Sequence, residues 1–231
     1  FVLYLKAIRG KPKDLIKDQQ VHGFFKTLII SILVVVFYLI LTSNFTFSEI
    51  LRYSIFNVTS ILTGTGFTST NYNGWGTPII LLFLFITFIG GCAGSTTCGV
   101  KIFRLQIVFN NSKEMISKLI SPNRVVNKRY NGEHSSPEVT QSVITFLFIF
   151  ILTFIVLSVL LSFTGLDLLT SFSAAATSIS NVGPGLGQVI GPAYSFSQIP
   201  EIAKWLLSFG MLAGRLEFLT LIVIFNKSFW R

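Results

Sequence analysis

The sequence predicts an all-α membrane protein built as two tandem helix–re-entrant loop–helix repeats. Three observations carry that expectation. Of 231 residues, 51% are hydrophobic and 12% charged, with a mean hydropathy of +0.70; a soluble domain is less apolar and about twice as charged. Long apolar runs lie at residues 27–43, 78–89, 143–163 and 201–225. Between the first and second runs, and again between the third and fourth, a short apolar segment dotted with hydroxyls ends in closely spaced glycines.

The charge is placed as a membrane topology requires. The formal net charge is +9, with 18 Lys and Arg, of which only Arg52, Lys204 and Arg215 fall outside residues 1–26, 101–129 and 227–231. Basic segments gathered before, between and after apolar spans follow the positive-inside rule. A nucleic-acid surface would instead concentrate them on one folded face. Cys92 and Cys98 both fall in an apolar stretch, and His22 and His134 stand alone, so neither a disulfide framework nor a metal site is expected. The chain begins at Phe1 with no basic segment leading to a cleavage site, and it reads as starting inside a longer protein.

Residues 1–5 read as the end of an earlier helix, and Arg9-Gly10-Lys11-Pro12 as a turn, within a cytoplasmic segment over residues 1–26. Residues 27–43 are long enough to cross most of a bilayer of about 30 Å. Ser48 is the expected N-cap of a short helix over residues 49–62, with Glu49 in its first turn. At 14 residues it is re-entrant rather than spanning. Pro78 opens the second span, which the run Gly90-Gly91-Cys92-Ala93-Gly94-Ser95-Thr96-Thr97-Cys98-Gly99 breaks. Residues 111–138 form a basic cytoplasmic linker with a turn at Tyr130-Asn131-Gly132. The third span, residues 143–163, leads to a second short helix over residues 168–179, with Asp167 as N-cap. It exits through Ser180-Asn181-Val182-Gly183-Pro184-Gly185 to a final span carrying Lys204, Arg215 and Glu217. The two repeats therefore cover residues 27–110 and 139–231.

The segment on which this organisation turns is Thr63-Gly64-Thr65-Gly66-Phe67. A backbone that leaves helix at membrane depth must line a cavity or be buried in protein. Two glycines in four residues allow positive φ, so that peptide carbonyls turn inward, and inward carbonyls replace the water shell of a potassium ion. The expected ion-binding residues are Thr63, Gly64, Thr65 and Gly66, with Ser180, Asn181, Val182 and Gly183 as their counterparts. An offset of 117 superposes Gly66 on Gly183, Thr63 on Ser180 and Ser60 on Thr177. In the second spans an offset of 120 superposes Gly90, Ala93 and Gly94 on Gly210, Ala213 and Gly214. Parallel repeats about an axis normal to the membrane suit a pore on that axis. Two loops give half of the roughly fourfold ring that a potassium filter uses.

These segments, with Lys101 and Arg104 after the glycine run and Gly214-Arg215 in the last span, resemble the Trk/Ktr/HKT superfamily of potassium transporters, and within it the TrkH-like membrane subunits. The resemblance covers nearly the whole chain. It implies a potassium-channel-like architecture of four helix–pore-loop–helix repeats, of which this chain holds the third and fourth, either as a fragment of a longer protein, the reading that the missing Met start favours, or as a half-length chain that dimerises to complete the ring. It implies that residues 63–66 and 180–183 supply filter carbonyls. It also implies that the loop of residues 90–99, with Gly90, Gly91, Gly94, Ser95 and Gly99, lies under the filter as a gate, and that Arg215 points into the pore beside it. Potassium would be the substrate, no cofactor would be bound by this chain, and a TrkA-like cytoplasmic ring of nucleotide-binding domains would be the regulatory partner. A homodimer of the full-length protein in the inner membrane, contacting lipid and no nucleic acid, completes the implied assembly.

The same residues admit other readings. A mid-membrane arginine faces a cavity or a partner; for Arg215 this is either an electrostatic barrier to cations or an ion pair with another helix, while Glu217 is read as structural. Gly90 and Gly94 have the small-xxx-small spacing of helix packing. The hydroxyls of Thr65 and Ser180 could cap the short helices. A phosphate loop at residues 94–101 fails by one residue, since Val100 intervenes before Lys101. A membrane enzyme would need clustered His, Cys or carboxylates within the spans, which the sequence lacks. A sodium-permeable transporter and a non-conducting assembly subunit remain as alternatives, the glycines at 66 and 183 favouring potassium.

Overall fold

The computed structural model describes residues 18–121 and 137–216, together with residues 8, 129–130, 133–134, 223 and 227–230. The expectations for residues 1–5 and 9–12, for Asn131 and Gly132, for Glu217, and for most of the last span beyond Leu216 fall outside these residues.

Among the described residues the α-helices are α1 (Gln19–Thr42), α2 (Phe47–Leu62), α3 (Thr77–Phe88), α4 (Ile102–Ile120), α5 (Pro137–Ser162), α6 (Leu168–Ser180) and α7 (Glu201–Arg215). Strands β1 (Ile89–Gly90) and β2 (Val100–Lys101) pair in parallel, Ile89 opposite Val100 and Gly90 opposite Lys101. Among the described residues the order long helix, short helix, loop, helix occurs twice.

Helices α1 and α5, of 24 and 26 residues, are long and apolar enough to cross a bilayer. Each is apolar nearly all round, yet only one face is covered by protein. Val35 and Leu39 of α1 and Phe150 and Leu161 of α5 are buried, whereas Phe37, Leu41, Phe148 and Ile155 are exposed. Helix α1 starts well before the expected Thr27 because the Asp18 carboxylate accepts from the Gln20 and Val21 N–H groups, at 2.8 and 3.4 Å. That cap satisfies amides that water or nothing else would have to meet.

The two short helices are held differently at their starts. Helix α2 begins at Phe47, with Thr46 rather than Ser48 as N-cap. The Thr46 N–H and hydroxyl both donate to Glu49 Oε2, at 2.9 and 2.8 Å, so Glu49 reaches back over the first turn. Helix α6 is capped by Asp167 as expected, whose carboxylate accepts from Thr170 N–H at 3.2 Å. Every residue from Ser173 to Ser180 is buried. At 13 residues α6 covers about 20 Å, too little to span. It packs against α5, α7 and, across the repeat boundary, α3.

The linker is more ordered than expected. Residues 102–120 form α4, because no Gly or Pro interrupts the chain between Gly99 and Pro122. The helix therefore runs on past residue 110, where the first repeat was expected to end, and it lies against α1 and α5.

Two apolar cores result, one per repeat, and each takes residues from the other repeat. Val182 and Leu186 of the second repeat sit in the core of α1, α2 and α3. Val100 of the first sits in the core of α5, α6 and α7. Asn73 fastens the outer loops, donating through Nδ2 to the Gly187 carbonyl at 2.7 Å and accepting from Gly187 N–H at 3.3 Å.

The second spans of the repeats diverge. Helix α3 stops after 12 residues and runs directly into β1 at Ile89, while α7 stays helical through Gly210 and Gly214. Those two glycines let α7 lie directly on its neighbours. A Cβ on Gly210 would stand 2.7 Å from Leu157 Cδ2 and 2.8 Å from Ser178 Oγ, and one on Gly214 would collide with the Ile179 carbonyl. Gly214→Ala should therefore destabilise the full-length protein by about 1–3 kcal/mol, the usual cost of overpacking. A thermal melt in detergent should show a lowered midpoint, with Gly74→Ala, where no atom lies within 4 Å, unchanged.

Candidate functional site

The ends of α2 and α6 repeat one backbone pattern at the offset of 117. Gly64 N–H donates to the Ile61 carbonyl at 3.0 Å, and Asn181 N–H to the Ser178 carbonyl at 3.1 Å. Thr65 N–H donates to Ser60 O at 2.9 Å, and Val182 N–H to Thr177 O at 3.1 Å. Gly66 N–H reaches Ser60 O at 3.3 Å, and Gly183 N–H reaches Thr177 Oγ1 at 2.9 Å. The torsions match as well. Gly64 has φ 67° and Asn181 φ 51°, while Gly66 has 80° and Gly183 116°. Asn181 is the one non-glycine among the described residues in this region, which its short polar side chain tolerates. Its Nδ2 donates to the Met211 carbonyl at 3.0 Å, tying the second loop to α7.

This pattern fixes where the carbonyls point. Among the described residues no peptide bond is cis, and in a trans peptide the carbonyl of one residue points opposite to the N–H of the next. Three successive N–H groups in each loop turn back to their own helix. The carbonyls of Thr63, Gly64 and Thr65, and of Ser180, Asn181 and Val182, therefore point away from it. No described residue donates to any of the six. Uncompensated carbonyls at membrane depth are costly unless water or a cation meets them.

The two loops face each other. A Cβ on Gly66 would collide with the Val182 carbonyl oxygen, and one on Gly183 would lie 3.9 Å from Gly66 Cα. The segment of Thr63, Gly64, Thr65 and Gly66 thus meets that of Ser180, Asn181, Val182 and Gly183 where Gly66 lies against Val182 and Gly183. The hydroxyls of Thr65 and Ser180 cap neither helix, contrary to that reading. The C-caps are Thr63 and Asn181; Thr65 Oγ1 pairs with Thr63 Oγ1 at 2.8 Å, and Ser180 Oγ is buried with no hydrogen-bond partner among the described residues.

The loop of residues 90–99 folds on itself beside the first of these segments. Its base is the β1–β2 pair, closed so tightly that a Cβ on Gly90 would collide with the Cys98 carbonyl. Gly91 N–H donates to Thr97 Oγ1 at 2.9 Å, Ser95 Oγ donates to Cys92 O at 2.6 Å, and Ile102 N–H donates to Gly91 O at 3.1 Å. Gly94 and Gly99 take φ of 77° and 78°. Gly90 and Gly94 are therefore strand and turn residues, and the helix-packing reading fails for them. Ala93 N–H donates to Gln20 Oε1 at 2.7 Å, which fastens the loop to α1. Thr97 Cγ2 lies 3.8 Å from where a Cβ on Gly64 would stand, so loop and first segment touch.

Arg215 closes the loop from the far side. It lies in the last turn of α7, and its Nη1 donates to the Thr96 carbonyl at 2.7 Å and toward Cys98 Sγ at 3.6 Å. A cavity of about 190 Å³ separates loop, α5 and α7, lined in part by Lys101, Arg104 and Arg215. The Arg104 guanidinium lies 3.7 Å from the centre of the Phe146 ring, within cation–π range.

Sequence reasoning missed the side chains that brace the loops from behind. Asn57, fully buried, donates to Ser69 Oγ at 2.9 Å and accepts from Ser69 N–H at 3.1 Å. Ser173 Oγ accepts from Leu186 N–H at 3.1 Å. Ser69 and Leu186 are again 117 apart. The available signal was a polar residue on the buried face of an otherwise apolar helix.

An all-helical membrane protein whose re-entrant loops bring unclaimed carbonyls together is a protein of the pore-loop transport class. Within that class, the chain belongs to the TrkH family of cation transport proteins, whose family profile matches residues 23–231. It is 42% identical over 231 residues to the Trk system potassium uptake protein TrkI of Halomonas elongata, covering all of this chain and 47% of that protein. It is 34% identical over 235 residues to the Trk system potassium uptake protein TrkH of Vibrio parahaemolyticus, covering 48% of it. The crystal structure of the potassium transporter TrkH from Vibrio parahaemolyticus superposes with a TM-score of 0.91 at 33% identity, covering all of this chain and 50% of that one. The chain thus spans about half the length of the relatives it matches.

Proposed function

We propose that this chain supplies two pore-loop units of a potassium-translocating membrane subunit. The observation that carries the reading is the pair of facing loops, each turning three successive N–H groups back to its helix and leaving three carbonyls unclaimed. Those oxygens replace part of the hydration shell of a dehydrated potassium ion, the substrate, and the remaining loops of the full-length protein complete the ring. Thr63, Gly64, Thr65 and Gly66 act with Ser180, Asn181, Val182 and Gly183. No covalent chemistry and no cofactor of this chain are needed. Relatives named as potassium uptake proteins support potassium over sodium as the cargo.

The loop of residues 90–99 acts as the gate, with Gly94 and Gly99 supplying its turns and Arg215 holding it shut through Thr96. This gives Arg215 two actions: a positive charge in the ion's path, and a charge-assisted hydrogen bond to the obstruction itself. The protein works as a multi-pass protein of the cytoplasmic membrane, as a homodimer of the full-length chain surrounded by lipid, with a TrkA-like cytoplasmic ring as regulator.

Two measurements test the reading in the full-length protein in vesicles. Gly66→Ser crowds the Val182 carbonyl and should lower potassium-over-sodium selectivity several-fold; an unaltered reversal potential would contradict the filter assignment. Arg215→Ala removes a hydrogen bond of about 1.5 kcal/mol to a charged donor, which corresponds to roughly tenfold in an open–closed equilibrium. Cation flux should rise by that factor, and unchanged flux would remove Arg215 from the gate.

A further inference from the structure

We infer that Thr177 is the positioning residue that sets cation selectivity in the second loop, by holding the Val182–Gly183 peptide plane through its hydroxyl. The inference rests on the filter reading above and goes beyond it by naming a side chain that touches no ion.

The geometry is specific to one peptide. Gly183 N–H donates to Thr177 Oγ1 at 2.9 Å. Because the peptide is trans, the Val182 carbonyl points the opposite way, away from α6. It ends beside Gly66, where any Cβ would strike it. The hydroxyl behind the loop and the oxygen in front of it are thus two ends of one rigid plane. Thr177 is 2% exposed, so no water stands ready to replace it.

The first loop lacks such a device. Its equivalent N–H, on Gly66, goes to the Ser60 backbone carbonyl at 3.3 Å, and Ser60 Oγ is buried with no hydrogen-bond partner among the described residues. No single substitution removes the backbone acceptor, whereas one removes the hydroxyl at Thr177. Gly183, at φ 116°, has no side chain of its own to resist rotation of the plane. If the plane turns, an N–H replaces a carbonyl at the ion's position and repels it.

The test uses the full-length protein reconstituted in vesicles, with potassium and sodium flux measured separately. Thr177→Val keeps the shape and deletes the acceptor; potassium-over-sodium discrimination should fall at least tenfold. Thr177→Ser restores the hydroxyl and should stay within about twofold of the parent, a rescue that a packing role alone would not give. Should the valine variant fail to fold, Thr177→Cys, of similar size and a weak acceptor, should still lose discrimination. Parental selectivity in the valine or cysteine variant, or a serine variant as impaired as valine, overturns the inference. A parent protein carrying no potassium-selective flux overturns the filter reading itself and the inference with it, and is recognised before any variant is measured.

Discussion

A peptide group inside a bilayer has no water to bond to, and everything in this chain follows from how it meets that constraint. Helices meet it internally. The ends of α2 and α6 do not, and there the chain divides the task. Amide hydrogens are returned to the helix that has just ended, through Ile61, Ser60, Ser178 and Thr177, while the carbonyls are left facing outward. An arrangement that claims every N–H and leaves successive oxygens unmet has a partial negative charge on one side only. On the proposed reading that asymmetry suits a cation as the missing partner, with no acidic side chain required.

The duplication is strict where this division is made and loose elsewhere. The first two hydrogen bonds and the positive torsions of residues 64–66 and 181–183 agree across the offset of 117, even where Asn181 stands for Gly64, and only the third N–H changes its acceptor, from the Ser60 carbonyl to the Thr177 hydroxyl. Past the loops the repeats part. Glycines at 90 and 94 break the first span into strand and turn, whereas glycines at 210 and 214 bring α7 against α6 without breaking it. The same residue type serves opposite ends because the neighbours differ: Cys98 and Thr97 offer a chain to fold back on, while Ile179 and Ser178 offer a helix to lie against. The result joins the two halves, since α7 ends in Arg215 and Arg215 holds the loop that the first half produced.

Much of this was legible in the sequence. Apolar length gave the spans, Asp167 gave the start of α6, and the paired glycines gave both loops and their register. What was not legible depends partly on local choices and partly on residues distant in the chain. Ser48 looked like a cap, but Glu49 reaches back to Thr46 and moves the start to Phe47. The helix at residues 102–120 was hidden by its basic content, which marks a cytoplasmic location and says nothing against helix. The bracing roles of Asn57, Ser173 and Thr177 were not legible, because only the folded chain brings Ser69, Leu186 and Gly183 back to them. Arg215 was placed near the gate, but its acceptor, the Thr96 carbonyl, is a backbone group with no signature of its own.

The central claim is that the carbonyls of the two facing loops jointly hold one cation. Anomalous diffraction from crystals of the full-length protein grown with rubidium or thallium, heavy stand-ins for potassium, measures it most directly. A peak between Gly66 and Gly183, within coordinating distance of both the Thr65 and the Val182 oxygens, is the predicted result. A filter empty of anomalous signal while peaks stand elsewhere along the pore, or these oxygens turned onto protein donors, would contradict it.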